Sequence, residues 1–216
     1  MTASSDGPAF FRYRDAGLWG GQEKLLRAAT ATFEEAAGGR RVDALEVGCG
    51  NGARARRLSD RGHRVWGIEL AQESIEVARA QAPAARFAVG SAYDDLGALF
   101  PGQASWDAVV ALEVIEHLYD PRRFVRGAVG VLRPGGFLLL STPYHGYAKN
   151  LLLALTGRLD AHFTALWDGG HIKFWSRRTL TALLAEQGLA VTRFRGVGRG
   201  PGLWRSMILV ARRAGR

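Results

Sequence analysis

Apolar and polar positions along the chain change period several times, and each change marks an element. From Gln22 to Ala37, Leu25, Leu26, Ala29 and Phe33 recur at helical spacing, which predicts an amphipathic helix. Beyond Gly38-Gly39 the pattern turns into short apolar runs. Val42–Val47, Arg64–Ile68, Arg86–Val89, Trp106–Leu112 and Phe137–Ser141 read as strands. Helical stretches lie between them over Gly52–Arg61, Gln72–Gln81 and Asp120–Leu132. Strands that alternate with helices and are apolar on both faces predict an α/β fold, a parallel sheet between two helical layers. The rhythm breaks at Pro143. From there to Phe174 the segment is too long for a plain connection and carries its own apolar cluster, Leu151–Leu155. A helix (Thr179–Gln187), a strand (Leu189–Phe194), a glycine-rich turn (Gly196–Gly202) and a last strand (Leu203–Ala211) follow, which predicts an antiparallel hairpin at one sheet edge. The expected organisation is one domain over 1–216: an arm and helix over 1–40, a core over 42–142, a lid-like insert over 143–174, and a helix with a hairpin over 175–216.

Composition narrows the class. At 216 residues, 47% hydrophobic and 23% charged, the chain suits a globular domain and excludes wholesale disorder. Cys49 is the single cysteine, which excludes an internal disulfide framework and a multi-cysteine zinc site. No apolar run approaches the ~18 residues that span a bilayer. Residues 1–8 lack the basic-then-apolar order of a signal peptide, so the expectation is a cytoplasmic protein. The net charge is +9, carried almost wholly by arginines in small scattered clusters such as Arg54/Arg56/Arg57 and Arg122/Arg123. That pattern reads as a solvated basic face and leaves a nucleic-acid partner open.

The first strand ends in Glu46-Val47-Gly48-Cys49-Gly50-Asn51-Gly52, a loop whose glycines allow a sharp turn and close approach of a ligand to the backbone. Glu69 ends the second strand, where a carboxylate can accept from both ribose hydroxyls of an adenosine-containing cofactor. The loop also fits the dinucleotide fingerprint G-x-G-x-x-G/A, so a nicotinamide-dependent oxidoreductase competes. Glu46 weighs against it, because an acid beside the loop repels a pyrophosphate and attracts an ammonium group.

Together, Leu45–Gly52, Gly67–Leu70, Trp106–Pro121 and Leu132–Pro143 resemble the class I S-adenosylmethionine-dependent methyltransferases, over roughly Val42 to Pro143. The resemblance implies a Rossmann-like seven-stranded, mostly parallel sheet with an antiparallel last strand. It implies that Gly48, Gly50 and Gly52 line the methionine part of S-adenosyl-L-methionine, with Glu46 facing its amino group through water, and that Cys49, Asn51 and Leu70 are further cofactor-binding residues. Glu69 would take the ribose, Ser91 and Ala92 would lie beside the adenine, and Leu112 near the sulfonium. Ser91 departs from the Asp often found in that slot.

Glu113-Val114-Ile115-Glu116-His117, followed by Asp120-Pro121, is similar to a segment of the ubiquinone-biosynthesis-type O-methyltransferases. Small-RNA 3′-terminal 2′-O-methyltransferases carry a like segment as a divalent-metal site with a later histidine, which Gly169-Gly170-His171 supplies here. The implied ligand set for Mg²⁺ or another divalent metal is Glu113, Glu116, His117 and His171. Without metal, His117 or His171 is a candidate general base, and His145 a residue facing the acceptor. The bland alternative is a strand end whose Asp120 caps the next helix, with Pro121 at its first position. His63 reads as a solvated turn residue, and Cys49 as a packing residue. The insert Tyr144–Trp167, with Phe10–Tyr13, Trp19 and Trp175, is expected to enclose an apolar or aromatic acceptor, or to touch a membrane surface peripherally. The resulting expectation is in-line methyl transfer to oxygen of a small phenolic or quinone-precursor acceptor. An RNA 2′-O-methyltransferase, an oxidoreductase and a catalytically silent binding module are the rivals.

Overall fold

The computed structural model describes residues 20–163, 165–167 and 169–213. The expected arm with Phe10, Phe11 and Tyr13, and Trp19, lie outside the described residues. Helix α1 (Gly20–Ala37) leads into β1 (Asp43–Val47), followed by α2 (Ala53–Ser59), β2 (Arg64–Glu69), α3 (Gln72–Gln81) and β3 (Arg86–Val89). Then come β4 (Trp106–Leu112), a 3-10 turn (Ile115–His117), α4 (Pro121–Val131) and β5 (Leu132–Pro143). Helices α5 (Tyr147–Leu155) and α6 (Leu159–Phe163) form the insert, and α7 (Arg177–Glu186), β6 (Leu189–Val197) and β7 (Ser206–Arg213) complete the described elements. The seven strands form one sheet in the order β3-β2-β1-β4-β5-β7-β6. Pairings from β3 to β5 are parallel. β7 runs antiparallel between β5 and β6, so the predicted fold and edge hairpin are both present.

Each face of the sheet has its own apolar layer. Trp66, Trp106, Phe124, Leu138 and Leu180 pack on one side, and Phe33, Ile75, Phe137 and Ile208 on the other. Trp106 is fully buried, with Trp66 and Phe100 meeting it edge-on at 6.2 Å. Side chains of this size contribute about 1.5–3 kcal/mol each when removed from water. In α4, Phe124, Val125, Ala128 and Val131 form the buried stripe. Asp120 caps that helix as expected, its carboxylate accepting from Arg123 N at 2.9 Å, with Pro121 at the first position.

Several boundaries shift. α2 starts only after Gly52, whose φ of 79° is left-handed, and ends at Ser59 rather than Arg61. β5 begins directly after α4 and runs through Gly135 to Pro143, longer than the apolar run that predicted it, because pairing of Leu132 with Trp106 extends the ladder. His63 is buried rather than solvated. Its Nδ1 accepts from Val42 N at 3.3 Å, and its Nε2 lies 3.2 Å from Glu34 Oε1. The carboxyl ends of β1, β2, β4 and β5 fall on one edge of the sheet, where open α/β folds place their ligands.

Candidate active site

A cavity of about 450 Å³ opens along that edge. Its floor is the loop after β1. Gly48, Gly50 and Gly52 have φ of 72°, 52° and 79°, a left-handed run that L side chains resist. Gly48 N and Cys49 N both donate to Ile68 O at 2.9 Å, tying the loop to the end of β2. Asn51 is buried and its side-chain oxygen accepts from Ala53 N at 3.2 Å, starting α2. Glu69 turns toward the loop and accepts from Gly50 N at 3.2 Å and from Leu70 N at 2.8 Å. Gly48, Cys49, Gly50, Asn51, Glu69, Leu70, Ser91, Ala92 and Leu112 all line the cavity. Thus the structure brings most of the expected binding residues around one space.

Glu46 stands differently. It is buried and does not contribute to the lining, whereas Arg54 does. Arg54 Nε donates to Glu46 Oε1, and its Nη2 donates to Gly48 O at 2.8 Å, so the guanidinium braces the loop from the side. Glu46 Oε2 has no partner, and burial holds the carboxyl above its ordinary range although Arg54 pulls the other way. Burial also pushes the Cys49 thiol up, aided by Glu46 and Glu69, which fits packing rather than reactivity. Just beyond β3 the Ser91 hydroxyl accepts from Tyr93 N at 3.1 Å, and Asp94 Oδ2 accepts from Ser91 N at 2.8 Å. Sequence reasoning missed Arg54, Tyr93 and the two leucines of α1, Leu25 and Leu26, that close the cavity. The only signal for Arg54 was its place in a basic cluster.

At the end of β4 the chain breaks from the sheet. Glu113 has φ 55°, the one left-handed non-glycine among the described residues. Its N–H donates to Ser141 O and Oγ, both at 3.1 Å, and the Ser141 hydroxyl donates to Glu113 Oε1 at 2.7 Å. Burial raises the Glu113 carboxyl to about 7, with Ser141 and then Arg54 holding it lower than burial alone would. Glu116 is fully buried, and neither carboxylate oxygen makes a hydrogen bond of ordinary geometry. Burial first and Glu113 second hold it well above the usual carboxylate range. The Glu116 carbonyl accepts from Ile172 N at 2.9 Å and Lys173 N at 3.0 Å, which draws the Gly-Gly-His segment onto the 3-10 turn. As a result the rings of His117 and His171 lie 4.9 Å apart. His117 Nδ1 meets the Gly169 and Gly170 carbonyls at 3.1 and 3.2 Å. Burial lowers both imidazoles, His171 to about 4, so they are neutral at pH 7.

Of the four ligands expected for a metal, three group together. Donor atoms of Glu116, His117 and His171 lie within 4.8 Å of one another. Glu113 is not in this group, being turned to Ser141. The orphaned Glu116 oxygens and the carbonyl-anchored ring of His117 are the features a metal ligand set shows. Of the candidate catalytic histidines, only His117 lines the cavity. His171 stands beside it, and His145 lies farther off beneath the insert, 5.3 Å from His162 and against Phe174 at 5.1 Å. The insert is two helices rather than one. α5 buries Lys149 and leaves Leu151, Leu152 and Leu155 exposed, and neither α5 nor α6 lines the cavity.

Comparison with known proteins identifies the family. The family described as "Methyltransferase domain" matches residues 18–193. A ubiquinone biosynthesis O-methyltransferase of Chromobacterium violaceum is 33% identical over 162 residues, covering 73% of this chain and 68% of that protein. Its counterpart from Methylocella silvestris is 34% identical over 167 residues, covering 74% of this chain and 64% of that one. The chain therefore spans about two thirds of the length of these relatives. Magnesium protoporphyrin IX methyltransferase from Synechocystis, solved with bound S-adenosylhomocysteine, superposes with a TM-score of 0.67 at 18% identity, covering 93% of this chain and 90% of that one. No helix among the described residues is long and apolar enough to cross a membrane.

Proposed function

The chain belongs to the class I S-adenosylmethionine-dependent methyltransferases, and from that premise we propose that it methylates a ring hydroxyl of a small acceptor. The observation that carries this reading is Glu113. It lines the cavity where β4 ends, its carboxylate is fixed by Ser141, and burial holds it at about 7. A proton acceptor poised near the working pH is what removal of a hydroxyl proton during transfer requires. S-adenosylmethionine, when bound, supplies an activated methyl on a sulfonium.

The chain's own residues do the rest. The Gly48–Gly52 loop and Glu69 hold the donor, Glu69 through the oxygens that also accept from Gly50 and Leu70. Arg54 neutralises Glu46 on one side and braces Gly48 on the other, which leaves the loop able to receive an amino-acid end. Leu112, Leu25 and Leu26 exclude water from the far wall, and Glu113 takes the proton. The volume suits a small-molecule site. The names of the bacterial relatives support oxygen as the atom methylated.

A second reading is favoured by the grouping of Glu116, His117 and His171. These residues would hold a divalent cation, which would lower the pKa of an acceptor hydroxyl and orient it. The test is a mass-spectrometric assay of methyl transfer to catechols, with and without a chelator. Oxygen-methylated product is expected, with Glu113→Gln slowed about 10²–10⁴-fold. Product on nitrogen or carbon alone, or an unimpaired Glu113→Gln, would overturn the proposal. A loss of turnover on chelation, restored by Mg²⁺ or Mn²⁺, would establish the metal.

A further inference from the structure

Beneath α5 and α6 lies a cluster that methyl transfer as described leaves unused. Lys149 is buried in a helix whose leucines face outward, the reverse of ordinary amphipathic packing. Its Nζ donates to Tyr144 O at 2.7 Å, and burial together with Arg199 and Arg205 lowers its pKa to about 8. His145, at the turn beyond β5, stacks on Phe163 at 5.8 Å and meets Phe174 edge-on at 5.1 Å. His162 lies 5.3 Å away on α6. Two nitrogens of this cluster, His145 Nδ1 and His162 Nε2, are buried without a hydrogen-bond partner among the described residues. Leaving one such group dry costs about 1–3 kcal/mol, so two on adjacent rings call for a ligand.

The sign of the charge says which kind. Lys149, Arg199 and Arg205 act on the same space as cations, opposed by Glu113. His171, beside His117 at the cavity, feels both His162 and Lys149, so the cluster is electrostatically continuous with the methyl-transfer end. A carboxylate offers about four lone-pair sites. Lys149 presents an ammonium to it, and His145 and His162 can each donate from the orphaned nitrogen in one of their neutral tautomers. Phe163 and Phe174, 4.8 Å apart, add aromatic walls.

We propose that this cluster is a subsite for a carboxylate borne by an aromatic acceptor, held by Lys149, His145 and His162 while the ring hydroxyl faces Glu113. The inference rests on the acceptor reading above and adds its anionic group. Binding of the acceptor would satisfy the orphaned donors and draw α5 and α6 down over it, burying the helix pair that stands proud in this structure.

The test uses 3,4-dihydroxybenzoate and 3,4-dihydroxybenzamide as probes, which share the hydroxyls and differ in charge. Calorimetry on the complex with S-adenosylhomocysteine reads binding apart from turnover. The benzoate is expected to bind at least tenfold more tightly than the benzamide. Lys149→Met should erase that preference, and Lys149→Arg should restore most of it. His145→Phe should weaken the benzoate selectively. Unchanged melting temperature and S-adenosylhomocysteine affinity would establish that the variants fold. Equal affinity for the two probes in the parent, or a preference that survives Lys149→Met, would overturn the subsite, as would binding of neither probe. Should the benzoate bind as expected but never be methylated, the subsite stands and the hydroxyl-transfer reading falls.

Discussion

Gly48 and Val114 interlock the glycine loop with the Glu113–His117 segment, and a single methyl group tests that join. A Cβ built on Gly48 would lie 2.5 Å from Val114 Cγ2, closer than carbon atoms pack. Its φ of 72° is also a left-handed conformation. For Gly48→Ala the backbone share costs about 1–2 kcal/mol, and the overpacked contact about 1–3 kcal/mol. Together they amount to roughly 2–5 kcal/mol, and a chain of this size loses about 2–4 °C of melting temperature per kcal/mol. The expected fall is therefore roughly 5–15 °C, read by thermal denaturation. Relief comes from the partner. In Gly48→Ala/Val114→Ala the overpacking share should disappear while the φ share stays, giving a coupling of about 1–3 kcal/mol between the two sites. Where the single variant folds, displaced Val114 carries Glu113 with it, so turnover should fall by more than donor affinity does. Gly48→Ala melting with the parent, or a double variant whose loss equals the sum of the single losses, would refute the interlock.

Three further outcomes follow from the same geometry. Glu69→Ala removes the acceptor for two backbone N–H groups and for the proposed ribose contact; donor affinity should drop about 10–100-fold in calorimetry, with little change in melting. Glu113 accepts a proton only as the carboxylate, so turnover should fall about tenfold per unit as pH drops below about 7, and Glu113→Gln should flatten that limb. Arg54→Met leaves Glu46 buried without a counter-charge and should destabilise the fold by about 3–5 kcal/mol at neutral pH. Because burial already raises the Glu46 carboxyl, that loss should shrink as pH falls and Glu46 takes up a proton, which denaturation at several pH values measures.

What could be read in the chain, and what could not, divides along local and long-range physics. Strand and helix periods marked every core element, because β1, β4 and the middle of β5 are buried on both faces and leave an unbroken apolar run. The glycine loop was legible because left-handed turns demand glycine, and Glu69 because it closes a strand. Arg54 was not, since its role depends on reaching back across a helical turn to Glu46 and Gly48. Nor was the insert's inversion. A leucine-rich stretch with one lysine predicts buried leucines, whereas the lysine is the buried residue here, drawn in by the Tyr144 carbonyl. The four expected metal ligands looked equivalent in sequence. Only the hydrogen bond to Ser141, on the neighbouring strand, separates Glu113 from the other three.

That separation gives the strain at Glu113 a physical meaning. A non-glycine residue in the left-handed region costs energy and persists only where its surroundings over-determine it. Here the surroundings are explicit: Ser141 accepts its N–H and grips its carboxylate, and the next residue, Val114, is locked against Gly48. Released from that grip, β4 could continue straight, and the carboxylate would leave the cavity. The fold thus holds a carboxyl that burial raises to about 7 at the sheet edge that carries the glycine loop. It also sets Glu116, His117 and His171 behind that acid as a separate group. On the reading proposed above Glu113 moves a proton, whereas Glu116 leaves an unpartnered carboxylate beside two imidazoles, a difference that the E-x-x-E spacing conceals.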